Sequence, residues 1–155
     1  MFADADALSA VVRGLAAPFV RSGITAVAGV ESRGFLLGGA VAVALNAGFV
    51  AVRKAGALFP DATISQVTDA VDYRGRTHEL RMKPASLRPT DRVLLVDDWI
   101  ETGGQARAVA RMVAARGATL AGISVLVDQL DPRTRPHLPP IRTLVTSDQL
   151  PPCAE

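Results

Sequence analysis

The sequence is most informative at residues 93–105, which read VLLVDDWIETGGQ. From Arg92 to Asp98 the chain is apolar and then acidic, which is typical of a buried strand in a parallel sheet. Such a strand delivers Asp97 and Asp98 to its carboxyl end, where open α/β sheets bind their ligands. The stretch therefore predicts an α/β fold with a ligand site at this edge of the sheet.

A sharp turn through Thr102, Gly103 and Gly104 follows the acids and opens a predicted helix over residues 103–117. Glycines let the backbone approach an anion, and the start of a helix directs amide groups at it. Because carboxylates repel phosphate, Asp97 and Asp98 should face hydroxyl groups or a metal ion. A phosphorylated sugar fits the whole segment, with its hydroxyl groups at the two acids and its phosphate on the glycine loop. The alternative is a capping threonine and two turn glycines without a ligand. A Walker loop and a GxGxxG fingerprint are excluded because their required residues are missing.

The rest of the chain alternates helix and strand patterns, which predicts a mainly parallel sheet flanked by helices. Helices are predicted over residues 4–22, 35–48 and 103–117, and strands over residues 24–30, 49–53, 92–98, 119–128 and 141–147, with an edge strand over 77–83. Residues 55–75 show only weak alternation, so they are either an unrecognised element or a functional loop. Without repeats or a linker, a single domain over residues 1–155 is expected.

Composition narrows the function classes. The chain has 155 residues, 49% of them hydrophobic and 21% charged, with a net charge of +2. A charge excess this small and dispersed argues against nucleic-acid binding, and no apolar run reaches the length of a membrane span. The single cysteine, Cys153, has no disulfide partner within the chain, which predicts a reducing, cytoplasmic setting.

Residues 93–105 resemble the phosphoribosyl pyrophosphate signature of type I phosphoribosyltransferases. A second stretch, AGVESRGFLLGGAVA (28–42) followed by FVAVRKAGALFP (49–60), is similar to adenine phosphoribosyltransferases. The resemblance implies a type I core with a reduced N-terminal hood. It also implies transfer of 5-phosphoribose from phosphoribosyl pyrophosphate to a nucleobase, a purine of the adenine kind, with Mg2+ as cofactor and a homodimer as assembly. The open alternatives are a regulatory member that binds the donor without catalysis, and a phosphosugar-binding subunit.

The resemblance also implies roles for individual residues. Asp97 and Asp98 would hold the ribose hydroxyls, directly or through Mg2+ and water. The 5′-phosphate would lie on a loop of five residues, Glu101, Thr102, Gly103, Gly104 and Gln105. The pyrophosphate would lie on a second loop, formed by Glu31, Ser32, Arg33 and Gly34. Arg53 and Lys54 would add positive charge beside this loop. A non-proline cis peptide is expected at or beside the Glu31–Ser32 bond.

Three further expectations concern catalysis. Residues 58–76 would form a lid over the reaction centre, with Asp72 and Tyr73 as catalytic lid residues. Arg33 would stabilise the leaving group, and Glu101 would act as a general base, although adenine enzymes usually have Ala at that position. Gln105 also departs from the usual Thr, and the Phe-Arg-Asp motif of the adenine base pocket is not found. His78 and His137 are too isolated in the sequence to predict a metal site.

Overall fold

The computed structural model describes residues 1–54, 64–67 and 77–151, and of residues 64–67 only the backbone. Three α-helices lie in this part of the chain: α1 (Ala5–Ala16), α2 (Arg33–Ala44) and α3 (Gly104–Ala115). Seven strands accompany them: β1 (Ala26–Val30), β2 (Gly48–Lys54), β3 (Ile64–Val67), β4 (Glu79–Met82), β5 (Arg92–Ile100), β6 (Thr119–Asp128) and β7 (Ile141–Thr146). The predicted α/β fold, a mainly parallel sheet flanked by helices, is confirmed.

The seven strands form one sheet in the order β3-β4-β2-β1-β5-β6-β7. β1 pairs in parallel with β2 on one side and with β5 on the other, and β6 and β7 continue the parallel part. After β1 the chain adds strands on one side of it, beginning with β2. It later adds β5, β6 and β7 on the other side of β1, so the direction of strand addition reverses there. Ligands of open α/β sheets bind at such a reversal, at the carboxyl ends of the strands. The order of the strands alone therefore brings residues 31–34 next to Asp97 and Asp98.

The β2 side of the sheet differs from the prediction. Residues 77–83 were expected to form an edge strand, but β4 lies between β2 and β3 and is antiparallel to both. The edge strand is β3, which lies within residues 55–75, where the sequence shows only weak alternation of polar and apolar residues. Its polar residues Ser65 and Gln66 hide the strand pattern, and pairing with Arg81 and Leu80 of β4 holds it in place.

Two helices are shorter than predicted for local reasons. α1 ends at Ala16 because Pro18 lacks a backbone N–H, and a short 3-10 turn, Ala17–Phe19, continues the chain. α2 begins at Arg33, two residues early, and ends at Ala44 instead of Gly48. Asn46 adopts a left-handed conformation with φ 52°, which stops the helix, and Gly48 is already the first residue of β2.

Apolar layers on the two faces of the sheet hold the site-bearing loops. Leu37 and Val41 of α2 pack with Leu94 of β5 on one face, and Val109 and Met112 of α3 pack against the other face. Each of these side chains is fully buried, which stabilises the fold by roughly 1.5–3 kcal/mol apiece. Because both helices start at the carboxyl edge of the sheet, their packing fixes the positions of the loops that precede them. Within the described residues, no helix has the length and apolarity needed to cross a bilayer.

Candidate active site

A cavity of about 720 Å³ opens at the carboxyl ends of β1 and β5. Its walls are the turn between β1 and α2, the last residue of β2, the end of β5 and the first turn of α3. Most of the predicted site residues that the structure describes line it: Glu31, Ser32, Arg33, Lys54, Asp97, Asp98, Glu101, Thr102, Gly103, Gly104 and Gln105. Segments that are far apart in the sequence therefore meet in one concave space of a size that suits small ligands.

The two acids lie within β5 and not at its end, because the strand continues to Ile100. The backbone N–H of Asp98 donates to Oδ1 of Asp97 at 2.9 Å. Burial, followed by the charge of Asp98, raises the pKa of the Asp97 carboxyl well above its ordinary value, while the charge of Lys54 opposes this. Protonation of Asp97 is therefore easier than that of an ordinary aspartate, and a nearby cation or hydroxyl donors would lower this pKa again.

Asp98 forms an ion pair with Arg33, whose Nε lies 2.9 Å from Oδ2 of Asp98. The Arg33 side chain is 66% exposed and that of Asp98 only 15%, so the arginine reaches across the mouth of the cavity to the acid. This contact joins the turn before α2 to the acidic end of β5. The sequence predicted both residues as ligands of one donor, and the structure adds that they contact each other directly.

The acid pair also fits the predicted magnesium ion. Mg2+ takes oxygen ligands and in proteins is often held by one or two carboxylates, with water and phosphate oxygens completing its shell. Asp97 and Asp98 provide such a pair, and the raised pKa of Asp97 is what a nearby cation would reverse. In the part of the chain that is described, no group of three His, Cys, Asp or Glu side chains would hold a metal on its own.

The turn before α3 has the backbone expected of a phosphate loop. Gly103 caps the helix with φ 71°, the left-handed region that glycine tolerates best, and the N–H of Gly104 faces Oγ1 of Thr102 at 3.4 Å. A Cβ at Gly103 would lie 3.1 Å from Nη1 of Arg107 and 3.2 Å from a methyl group of Leu130. Glycine is therefore favoured by the backbone conformation, and a side chain here would also push neighbouring side-chain ends away by a few tenths of an ångström. The positive φ is compatible with the predicted phosphate loop, and phosphate binding itself stays a prediction.

The turn between β1 and α2 contains the predicted cis peptide bond between Glu31 and Ser32. After it the chain enters α2 at Arg33, so the helix starts at the cavity wall. A Cβ at Gly29 would lie only 2.2 Å from the carbonyl oxygen of Gly34, which shows that β1 and the first turn of α2 touch backbone to backbone. Similarly, a Cβ at Gly34 would lie 3.0 Å from Oδ1 of Asp97. Gly34 thus allows close packing behind the acids.

Three other predicted residues are not found in the cavity lining. Arg53 lies outside the lining, and its Nη2 is 3.5 Å from Oε1 of Glu31. Asp72 and Tyr73 fall outside the described residues, as does the predicted lid apart from the backbone of β3. The roles proposed for Asp72 and Tyr73 therefore stay predictions.

Three residues of the cavity wall that carry polar side-chain atoms were not predicted from the sequence: His78, Trp99 and Gln129. Trp99 is 40% exposed, and its Nε1–H donates to Oε1 of Gln129 at 3.1 Å. The N–H of Gln129 donates to the carbonyl oxygen of Ile100 at 2.9 Å, so the residue after β6 is tied to the end of β5. The only tryptophan of the chain, placed between the acids and the phosphate loop, was a usable signal. His78 and Gln129 carry no such signal in the sequence, because they reach the cavity only through the pairing of strands that are distant along the chain.

Comparison with known proteins agrees with this geometry. Residues 1–148 match the family of the phosphoribosyl transferase domain. The chain belongs to this family. An adenine phosphoribosyltransferase of Streptomyces clavuligerus is 43% identical over 128 residues, which cover 83% of this chain and 70% of the relative. No similarity found here favours the regulatory alternative, because these relatives are named as enzymes.

Solved structures of the family share the fold. The adenine phosphoribosyltransferase of Rhodothermus marinus superposes with a TM-score of 0.82 at 36% identity, covering 94% of this chain and 82% of that one. The enzyme of Trypanosoma brucei, solved in complex with AMP, pyrophosphate and ribose-5-phosphate, gives a TM-score of 0.78 at 29% identity, covering 95% and 70%. The sequence-based resemblance to adenine phosphoribosyltransferases is thereby confirmed.

Proposed function

We propose that this phosphoribosyltransferase transfers 5-phosphoribose from phosphoribosyl pyrophosphate to adenine, giving AMP and pyrophosphate, a reaction of purine salvage. The observation that carries the proposal is the shared cavity of an acid pair, Asp97 and Asp98, and a helix-start loop with a positive-φ glycine, Gly103. The choice of adenine is supported by the relatives, which are named as adenine enzymes at about 40% identity.

The donor fits the cavity in one direction. Its 5′-phosphate lies on the amides of residues 102–105, where the start of α3 favours an anion. Its ribose hydroxyls face Asp97 and Asp98, which accept hydrogen bonds. Its pyrophosphate then reaches the turn between β1 and α2, near the cations of Arg33 and Lys54. This orientation places each negatively charged group of the donor near amides or cations, and its ribose hydroxyls near the carboxylates of Asp97 and Asp98.

The reaction breaks the bond between C1 of the ribose and the pyrophosphate oxygen, which keeps the electron pair. A ring nitrogen of the base forms the new bond to C1 and loses its proton. In the transition state the ribose ring gains positive charge and the pyrophosphate gains negative charge. Arg33 and Lys54 stabilise the leaving group, since fixed charges in a cavity act strongly on developing charge. A bound Mg2+ would neutralise further charge on the pyrophosphate, with Asp97 and Asp98 as the residues that hold it directly or through water.

Glu101 is the residue we assign to the proton of the base. It follows β5 directly, lines the cavity and is the first residue of the predicted phosphate loop. A carboxylate at this place can accept the proton as the new bond forms, a contribution of about 10²- to 10⁴-fold. In the same proposal Asp72 and Tyr73 belong to a lid, residues 58–76, that excludes water from the donor.

We also propose that two copies of this single-domain chain associate through the outer face of α2. Leu36 is 50% exposed and Val43 is 82% exposed, which is unusual for side chains of this size on a helix that packs on a sheet. Phe49 of β2 is 39% exposed beside them and contacts Phe35 edge to face at 5.8 Å. These side chains form an apolar patch on and beside α2, the helix that begins with Arg33 of the site. A second copy bound there would cover the patch and stabilise the position of this helix. The cytoplasmic setting is part of this proposal and rests on the single cysteine.

A test of the proposed function supplies the purified protein with Mg2+, phosphoribosyl pyrophosphate and one base at a time. We expect nucleotide from adenine, and much slower or no reaction with guanine, hypoxanthine, uracil or orotate. Formation of a nucleotide from another base in preference to adenine would contradict the choice of base. Binding of the donor without any nucleotide would restore the regulatory alternative.

A further inference from the structure

The carboxylate of Glu31 connects the two strand ends that border the pyrophosphate side of the cavity. Its Oε2 accepts the backbone N–H of Lys54 at 3.1 Å, and its Oε1 lies 3.5 Å from Nη2 of Arg53. Its own N–H donates to the carbonyl oxygen of Val52 at 2.9 Å. One residue thus binds three successive positions at the end of β2.

A negative charge at this place requires an explanation, because the same wall is proposed to hold pyrophosphate. An acid beside an anion site weakens the binding of the anion unless the acid serves another purpose. Glu31 directs its two oxygens toward β2, and its side chain is only 29% exposed. It is therefore placed to hold the cations of the wall and not to contact the donor.

We propose that Glu31 is a positioning residue, which fixes Arg53 and Lys54 so that the ammonium group of Lys54 meets the pyrophosphate. This inference rests on the proposed function. Lys54 lines the same cavity as Asp97, and its positive charge lowers the pKa of that carboxyl. β2 holds Lys54 through pairing with Leu80 of β4, and the carboxylate of Glu31 holds it from the β1 side. A long, flexible lysine side chain meets an anion more often when its backbone is fixed on both sides.

The positioning role and a purely electrostatic role predict opposite effects. If Glu31 positions Lys54 and Arg53, Glu31→Ala should weaken binding of magnesium pyrophosphate about tenfold and raise the KM for the donor by a similar factor. Glu31→Gln keeps an oxygen for the N–H of Lys54 but loses the charge that faces Arg53, so its affinity should lie between those of Glu31→Ala and the wild type. If the carboxylate acts only as a negative charge near an anion, both substitutions should tighten binding.

The experiment measures binding of inorganic pyrophosphate with Mg2+ to the full chain by calorimetry, together with the KM for donor and for base. Glu79→Gln is the matched control, because Glu79 is 34% exposed, pairs with Arg81 at 3.1 Å and lies on the neighbouring β4 outside the cavity lining. We expect the control to bind pyrophosphate as the wild type does, and the KM for the base to stay unchanged in every variant.

Two results would overturn the inference: tighter or unchanged pyrophosphate binding in both Glu31 variants, or an equal loss in Glu79→Gln. Melting temperatures show whether a variant is folded. If Glu31→Ala is unfolded, the pyrophosphate affinity of the isosteric variant Glu31→Gln alone tests the inference. The wild type separates this inference from the proposed function. If the wild type neither binds magnesium pyrophosphate nor forms nucleotide, the proposed function fails. If it does both while the Glu31 variants bind normally, only the positioning role fails.

Discussion

Replacing Gly103 by alanine should damage both the stability of the fold and the binding of the donor. Gly103 has φ 71°, and an L-residue in the left-handed region costs roughly 1–2 kcal/mol more than glycine. The new Cβ would lie 3.1 Å from Nη1 of Arg107 and 3.2 Å from methyl groups of Leu130 and Leu138, so flexible side chains must move by a few tenths of an ångström. We expect the melting temperature to fall by about 2–8 °C. Because the loop that holds the 5′-phosphate must shift, the KM for the donor should rise at least tenfold, a loss of about 1.4 kcal/mol.

Gly117→Ala is the control for this substitution. Gly117 follows the other end of α3 with φ 74°, and its Cβ would make only ordinary contact with Pro89 at 3.4 Å. This variant should lose similar stability, measured by thermal unfolding, and keep the wild-type KM in a steady-state assay of AMP formation. If Gly103→Ala has the same KM for the donor as Gly117→Ala, the loop from residue 102 to residue 105 does not hold the phosphate.

Four other substitutions, one of them a control, test the general base, a buried ion pair and the dimer interface. Glu101→Gln should lower kcat at least tenfold and leave the KM for the donor nearly unchanged, and an unchanged kcat in steady-state kinetics would remove the general-base role. Arg135→Met should destabilise the chain by about 2–4 kcal/mol in urea unfolding, because Asp128, whose side chain is 3% exposed, loses an ion-pair partner at 2.7 Å. Arg133→Met breaks the surface pair with Asp131, in which the two side chains are 90% and 44% exposed, and should have no measurable effect, so equal losses would refute the burial argument. Val43→Glu should shift the mass measured by light scattering from dimer to monomer, and a dimer that persists would place the interface elsewhere.

The sequence predicts the parallel half of the sheet well because its strands are buried on both faces. β1 is apolar throughout and completely buried, and β5 and β6 each contain a run of four buried residues in a mainly apolar sequence. The observed bounds of β6, Thr119–Asp128, coincide with the predicted range. In these segments burial alone determines the conformation, so the local pattern is sufficient.

The antiparallel half is harder to predict because pairing between distant residues determines it. β3 has no strong pattern of its own and exists through its register with β4, such as Ile64 opposite Met82. The same limit applies to the site. A motif can predict that Arg33 and Asp98 both belong to it, but their 2.9 Å contact depends on the packing of α2 on β1. The link from Trp99 to Gln129 likewise depends on the pairing of β5 with β6.

The central claim is that the cavity at the ends of β1 and β5 transfers phosphoribose to adenine. The most direct measurement follows AMP and pyrophosphate together, by mass spectrometry and a coupled phosphate assay, in a mixture of purified protein, Mg2+, adenine and phosphoribosyl pyrophosphate. The account predicts that both products appear in equal amounts, only when adenine and donor are both present, and that the donor KM rises in Gly103→Ala. Release of pyrophosphate without AMP, or no turnover of adenine by a folded protein, would contradict it.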